Sequence, residues 1–245
     1  EIHVLANTFD EMLDRIEQTL VRERQFSSDV SHELRTPISV IISECDYVLA
    51  CAKTVEEYTD AFTAINRQAK RMQRMVTELL TISRLETHTI HTEFEDTDIS
   101  ELLSFVCDEQ EEIQSRSIKM ERNIALGIVG KADRGLLARL FINLIANAYQ
   151  YSKANGTIQI SLQKINDNIV FAVKDNGIGI ADEELPLIWN RFYRGDKSRT
   201  VNESNSMGLG LSMVKWISDC HNGTVTVTSK INEGSEFVFS FPQSK

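Results

Sequence analysis

The sequence predicts an α+β chain, in which a helical hairpin that dimerises as a four-helix bundle is followed by an α/β sandwich. Three observations carry this. Through the first third, apolar residues recur at alternating steps of three and four. A polar stretch over residues 89–96 then stops the periodicity. Beyond it, short runs of strict apolar alternation are separated by helical stretches.

In order along the chain, Ile2, Leu5, Phe9, Met12 and Ile16 step as a coiled-coil seam, and nothing breaks the run before Pro37. Val55, Tyr58, Phe62, Ile65, Ala69, Met72, Val76 and Leu79 form a second, longer stripe. Thr54, followed by Glu56 and Glu57, reads as an N-cap with an acidic first turn, so Cys51 to Thr54 is a short connection and the two helices fold back as a hairpin. Two helices cannot bury a seam on both sides, so the stripe predicts a homodimer through the hairpin; packing of the stripe on the rest of the same chain is the alternative. In the second half Ile158, Ile160 and Leu162 alternate, as do Ile169, Phe171 and Val173, then Val225 and Val227, and Phe237, Phe239 and Phe241. Helices are expected over roughly 100–115, 133–150 and 209–220, on one face of a mixed sheet.

Composition narrows the function classes. The 245 residues carry a net charge of −10 with no basic patch, so a nucleic-acid partner is not expected. No apolar run approaches the roughly 20 residues of a membrane span, and the start lacks a signal-peptide pattern, so the chain as given is expected to be soluble. Cys45, Cys51, Cys107 and Cys220 are scattered without a C-x-x-C pair. They read as reduced, buried small hydrophobes of a cytosolic protein rather than a zinc site or disulfides.

Several segments carry chemistry. In the hairpin, His32 precedes Pro37 by five residues inside a helical pattern, where a proline costs a backbone hydrogen bond. His32 is out of step with Phe26, Val30 and Leu34 and is expected to face water, where an unprotonated ring nitrogen can act as a nucleophile. Glu33 could hold the other nitrogen. Downstream, Asn143 and Asn147 stand at i and i+4 on one helix face, where carboxamide oxygens can reach a cation and its waters. Asp175 ends a strand beside Gly177 and Gly179, which let backbone approach a flat ligand closely. Gly208 and Gly210 open a helix whose N-terminal amides suit a phosphate. Phe192 and Trp189 read as packing residues at i and i+3 on one helix face, and His88, His91 and His221 as ordinary surface or linker residues.

The order and spacing of these segments resemble the cytoplasmic part of a sensor histidine kinase of a two-component system. His32-Glu33-Leu-Arg-Thr36-Pro37 looks like the family's H-box, and Asn143 to Tyr151 its N-box. Asp175 to Gly179 and Met207 to Leu211 resemble its two glycine boxes, Phe192-Tyr193-Arg194 its F-box, and Gly234 to Phe237 its closing strand motif. Residues 1–22 are similar to the last helix of a HAMP linker, 23–88 to the dimerisation and phosphotransfer hairpin, and 97–245 to the catalytic ATP-binding domain shared with gyrases and heat-shock chaperones, with 89–96 between them. The resemblance implies that His32 takes the γ-phosphoryl of ATP, that Glu33 acts as base or orienting group, and that Thr36 holds an attacking water for a phosphatase step. It implies that Asn147 holds Mg²⁺ with Asn143 near the phosphates, that Asp175 accepts from the adenine amino group, that Tyr151 stacks near the base, and that Gly208 and Gly210 close over the phosphates. The implied partner is a response-regulator receiver domain, and the implied location is the cytoplasmic side of a bacterial membrane sensor. Phosphoryl transfer asks a protein mainly for positioning and charge neutralisation, so the ATP domain is expected to swing on the linker.

Two departures from the pattern are visible. Gln150 stands where the family commonly has a lysine, and Asn205-Ser206-Met207 stands where a glycine pair and threonine are usual. Arg194 is expected to supply the missing charge, with Lys153, Lys197 or Arg199 as other candidates in reach of the triphosphate. The alternatives are an ATP-binding signalling scaffold or a phosphatase-dominated member with weak kinase activity, and a gyrase-like ATPase.

Overall fold

The structure is a computed structural model that describes residues 2–86, 92–113, 118–195 and 208–244. The chain divides into two compact units between Ser83 and Arg84.

The first unit is built on α1 (Ile2–Ala50) and α2 (Val55–Glu86). α1 takes in residues 2–22 of the first segment and continues through Pro37 unbroken, although Pro37 has no N–H to offer the carbonyl of Glu33 one turn earlier. The connection is fixed by reciprocal capping. The Glu57 N–H donates to Thr54 Oγ1 at 3.2 Å, while the Glu57 carboxylate accepts from the N–H groups of Thr54 at 3.1 Å and Lys53 at 2.7 Å. Those two donors hold the Glu57 carboxyl below its usual range. Ala61, Met75 and Pro37 are buried inside the hairpin. The stripe read from α2 points elsewhere, with Val55 77%, Phe62 61% and Val76 46% exposed. α1 contributes Ile38, Ile42 and Leu49 to an exposed apolar row at matching spacing. Cys45 falls in that row and Cys51 at the hairpin tip, so both are exposed rather than buried as expected; Cys107 is buried, and all four are free.

The second unit contains a five-stranded sheet in the order β2 (Lys119–Ile124), β4 (Thr157–Ile165), β5 (Asn168–Asp175), β7 (Gly234–Pro242), β6 (Thr224–Lys230). β2 and β4 are parallel and the other pairs antiparallel. A separate ribbon pairs β1 (Glu95–Asp98) with β3 (Val129–Ala132). The inward side chains of β4, β5 and β7 are buried under α3 (Ile99–Ile113), α4 (Arg134–Tyr151) and α5 (Gly210–Cys220), while the alternate residues stay partly or fully exposed. Phe141 of α4 lies on Phe171 of β5 with ring centroids 4.5 Å apart. This packing holds α4 across the central strand that ends at Asp175.

Asp133 caps α4, its Oδ1 accepting from the Leu136 N–H at 3.0 Å and its Oδ2 from the Glu93 N–H at 3.2 Å. His221, expected on the surface, is 3% exposed. Its Nε2 accepts from the Asp133 N–H at 3.2 Å, so Nδ1 carries the proton and donates to the Ile217 carbonyl at 2.8 Å. Phe94 and Phe241 meet its ring edge-on at 5.1 and 5.7 Å. The 89–96 stretch therefore ends in structure: Glu93 and Phe94 are attached to the second unit, and Glu95 opens β1. Phe192 and Trp189 do not share a helix face, because residues 181–192 form successive turns and Phe192 has φ 60°. Trp189 instead packs edge-on against Phe237 at 6.2 Å. His88, His91, Lys197, Arg199 and Asn205 to Met207 lie outside the described residues.

Candidate active site

On the hairpin, His32 and Thr36 are both exposed and one turn apart on the same side of α1. Glu33 does not sit beside the imidazole as its sequence neighbourhood suggested. Neighbouring helical residues diverge, and the Glu33 carboxylate is turned toward α2, with Oε2 3.6 Å from Arg71 Nη2.

In the second unit, a cavity of about 360 Å³, within the range of small-molecule sites, gathers residues from several elements. α4 brings Asn147 and Tyr151, β5 brings Asp175, and the turns after β5 bring Gly179, Tyr193 and Arg194. Its walls are mostly apolar, with Ile178, Ile180, Ile188, Leu211, Ile231 and Phe237 around one deep acid. Such a cavity suits a flat, partly polar base. Asp175 is 6% exposed. Burial pushes its carboxyl above the usual carboxylate range, against the opposing pull of the Gly177 N–H at 2.8 Å and the Ser235 N–H. Two acceptor positions are thus met by backbone, and the carboxylate retains lone pairs for a ligand donor.

The glycines serve the fold itself. A Cβ on Gly177 would lie 2.2 Å from the Tyr151 carbonyl oxygen, and one on Gly179, at φ +68°, would lie 2.0 Å from the Lys230 carbonyl oxygen. Close approach is required there, but by protein backbone. Gly208 likewise packs against Phe192 and Tyr193, and the Phe192 N–H donates to the Gly208 carbonyl at 2.9 Å.

Five of the sequence-selected residues therefore meet in one cavity: Asn147, Tyr151, Asp175, Gly179 and Arg194. Asn143 lies one turn before Asn147 but does not line the cavity; its amide donates to the Arg139 carbonyl at 2.9 Å and its oxygen abuts Gly210. Lys153 is engaged elsewhere, donating to the Asn232 carbonyl at 2.6 Å. Gln150 is not a lining residue either. Sequence reasoning assigned no ligand role to Ser235, Glu183 or Glu184, all of which line the cavity. Glu184 Oε1 accepts from the Tyr193 hydroxyl at 3.2 Å, which fastens the F-box-like turn to the cavity wall. The signal for Ser235 was its place in the Gly234 to Phe237 motif; an acid in a turn carries no such signal. Among the described residues no cluster of three or more His, Cys, Asp or Glu side chains could hold a metal by itself. No described helix is long and apolar enough to cross a membrane.

Comparison with known proteins bears on both units. Residues 22–88 match the family described as His Kinase A (phospho-acceptor) domain. Residues 132–245 match the family described as histidine kinase-, DNA gyrase B-, and HSP90-like ATPase. The chain is 31% identical over 247 residues to the sensor histidine kinase CusS of Escherichia coli K12, covering 99% of this chain and 50% of that protein. It is 30% identical over 250 residues to the sensor histidine kinase YclK of Bacillus subtilis, covering 99% and 53%. The chain thus spans about half the length of these curated relatives. Among solved structures, Acinetobacter baumannii histidine kinase AdeS aligns with a TM-score of 0.71 at 25% identity, covering 86% of this chain and 98% of that one. Histidine kinase ThkA, solved in complex with response regulator protein TrrA, shares the fold with a TM-score of 0.68 at 21% identity, covering 89% and 61%.

Proposed function

We infer the activity from one premise: the chain belongs to the sensor histidine kinases of two-component systems, as their phospho-acceptor and ATP-binding region. It autophosphorylates His32 from ATP and passes the phosphoryl group to an aspartate of a response-regulator receiver domain. A ring nitrogen of His32 forms the bond to the γ-phosphorus, the bond to the bridging oxygen breaks, and ADP leaves. The observation that carries this reading is the cavity. A deeply buried carboxylate among aliphatic walls, with Tyr151 and Asn147 on one side and Arg194 at the turn, suits an adenine nucleotide.

Within that reading, Asp175 accepts from the adenine amino group and Tyr151 lies against the base. Arg194, which lines the cavity, supplies positive charge in place of the lysine that Gln150 replaces. Asn143, Gly208 and Gly210 stand by the phosphates, with Gly177 and Gly179 shaping the wall beneath the base. The carboxamide oxygen of Asn147 is the hard donor on α4, which fits Mg²⁺, an ion that commonly takes only one or two protein oxygens and completes its shell with phosphates and water. When bound, the ion neutralises triphosphate charge. Thr36, exposed on the side of His32, serves the reverse, phosphatase step by holding a water. The exposed rows Val55, Phe62, Val76 and Ile38, Ile42, Leu49 support a homodimer through the hairpin. The greater length of the relatives supports reading the chain as the cytoplasmic portion of a membrane-anchored bacterial sensor.

The test is incubation with γ-labelled ATP and Mg²⁺, comparing wild type with His32→Gln. Label that is lost in acid, survives base and is missing from the variant is the expected result. Tight ATP binding with no such label would leave a signalling scaffold in its place.

A further inference from the structure

Arg71 is the feature of the hairpin that the proposed reaction leaves without a part. It sits on α2 with only 16% of its side chain exposed, and its Nε is buried with no hydrogen-bond partner. A guanidinium so placed gains little for stability, because the unmet donor offsets what the ion pair returns. Packing fixes the arginine where it is: Met75, one turn on along α2, and Pro37, one turn beyond Glu33 along α1, are both buried.

Glu33 is the movable member of the pair. The 3.6 Å separation is an ion pair too long for a hydrogen bond, and a third of the Glu33 side chain is exposed. Contacts of this kind exchange readily. Its backbone is also less tied than its neighbours', because Pro37 cannot donate to the Glu33 carbonyl. The carboxylate cannot serve both sides at once. Turned to α2 it pairs with Arg71; released from Arg71, its flexible side chain changes rotamer and swings about α1 toward the side that carries His32.

We propose that Arg71 is a positioning residue for the phosphorylation of His32: it holds the Glu33 carboxylate against α2, in reserve, and so sets how often that carboxylate assists the imidazole. The proposal rests on His32 being the phospho-acceptor. It places Arg71 at one remove from the chemistry, acting only through Glu33.

The experiment measures His32 autophosphorylation in the whole chain over a range of ATP concentrations for wild type, Arg71→Gln, Arg71→Met, Glu33→Gln and the Arg71→Gln, Glu33→Gln double variant. Freeing the carboxylate is expected to raise the rate at saturating ATP by about threefold or more, with the KM for ATP unchanged. In the Glu33→Gln background the same Arg71 change is expected to do nothing. That non-additivity is the readout a purely structural arginine would not give. An unchanged or slower Arg71→Gln enzyme, or an effect of equal size with and without Glu33, overturns the proposal. Should Arg71→Gln lose its helical circular dichroism, Arg71→Met, which keeps an apolar stem and removes the charge, decides by the same criterion, with no acceleration counting against. Wild type that carries no acid-labile label removes the functional reading itself, and this inference with it.

Discussion

A carboxyl held above its usual range by burial is, when ionised, a cost to the fold. Its folded pKa lies above its unfolded one, so charging it on the way to neutral pH weakens the native state, and acidification through the folded value relieves that cost. Asp175→Asn is therefore expected to leave the thermal midpoint of the unliganded protein unchanged or higher. The same variant is expected to lose the upward shift that ATP gives the wild type. Differential scanning fluorimetry with and without nucleotide reads both. In the wild type, ATP affinity is expected to fall on acidification beginning above the ordinary aspartate value of about 3.9, because protonation takes away the acceptor; titration calorimetry across pH 4–7 checks the sign. Gly177→Ala tests the opposite kind of residue. With the Tyr151 carbonyl 2.2 Å from the new methyl group, a loss of about 1–3 kcal/mol in urea unfolding is expected. Asp175 was legible in the sequence because an acid beside two glycines at a strand end stands in order between the Asn143 to Tyr151 and Met207 to Leu211 segments. The cause of the glycines was not legible, since the backbone that crowds them arrives from Tyr151 and Lys230, remote in sequence.

At the scale of elements, what was readable is what repeats. The long helices, α4, α5 and the four alternating strands all announce themselves through period and caps, down to Thr54 at the start of α2. Thr54→Ala is expected to cost about 1 kcal/mol of hairpin stability, measured by circular dichroism in urea. β1 and β3 escaped because each is four residues long, and β2 because it is an edge strand with polar side chains. Thr97 is the only buried residue of β1, and its hydroxyl reaches the Ala132 carbonyl at 3.2 Å. A strand defined by its partner rather than by its own pattern leaves nothing to read. His221 was missed for the same reason, its two hydrogen bonds going to α5's own last turn and to the distant Asp133. His221→Ala is expected to strand the Asp133 N–H, at about 1–3 kcal/mol, whereas the Ile217 carbonyl keeps the backbone N–H of residue 221 at 3.2 Å.

For the molecule as a whole, the proposed pairing of two copies through the outward apolar rows of α1 and α2 is expected to make the hairpin's stability depend on concentration, as for any fold completed by a second copy. Phe62→Glu is expected to shift sedimentation from dimer to monomer, while ATP still raises the thermal midpoint of the second unit. The division between Ser83 and Arg84 permits that separation of effects. The attachment of Glu93 and Phe94 has a consequence within the second unit. Asp133 accepts the Glu93 N–H while capping α4, and His221 joins Phe94 to the same residue. These contacts fasten the chain to the N-terminal end of an 18-residue helix, a strut of about 27 Å at 1.5 Å per residue, whose far end carries Asn147 and Tyr151 into the cavity. The point where Glu93 and Phe94 are fastened and the cavity thus lie at opposite ends of one rod.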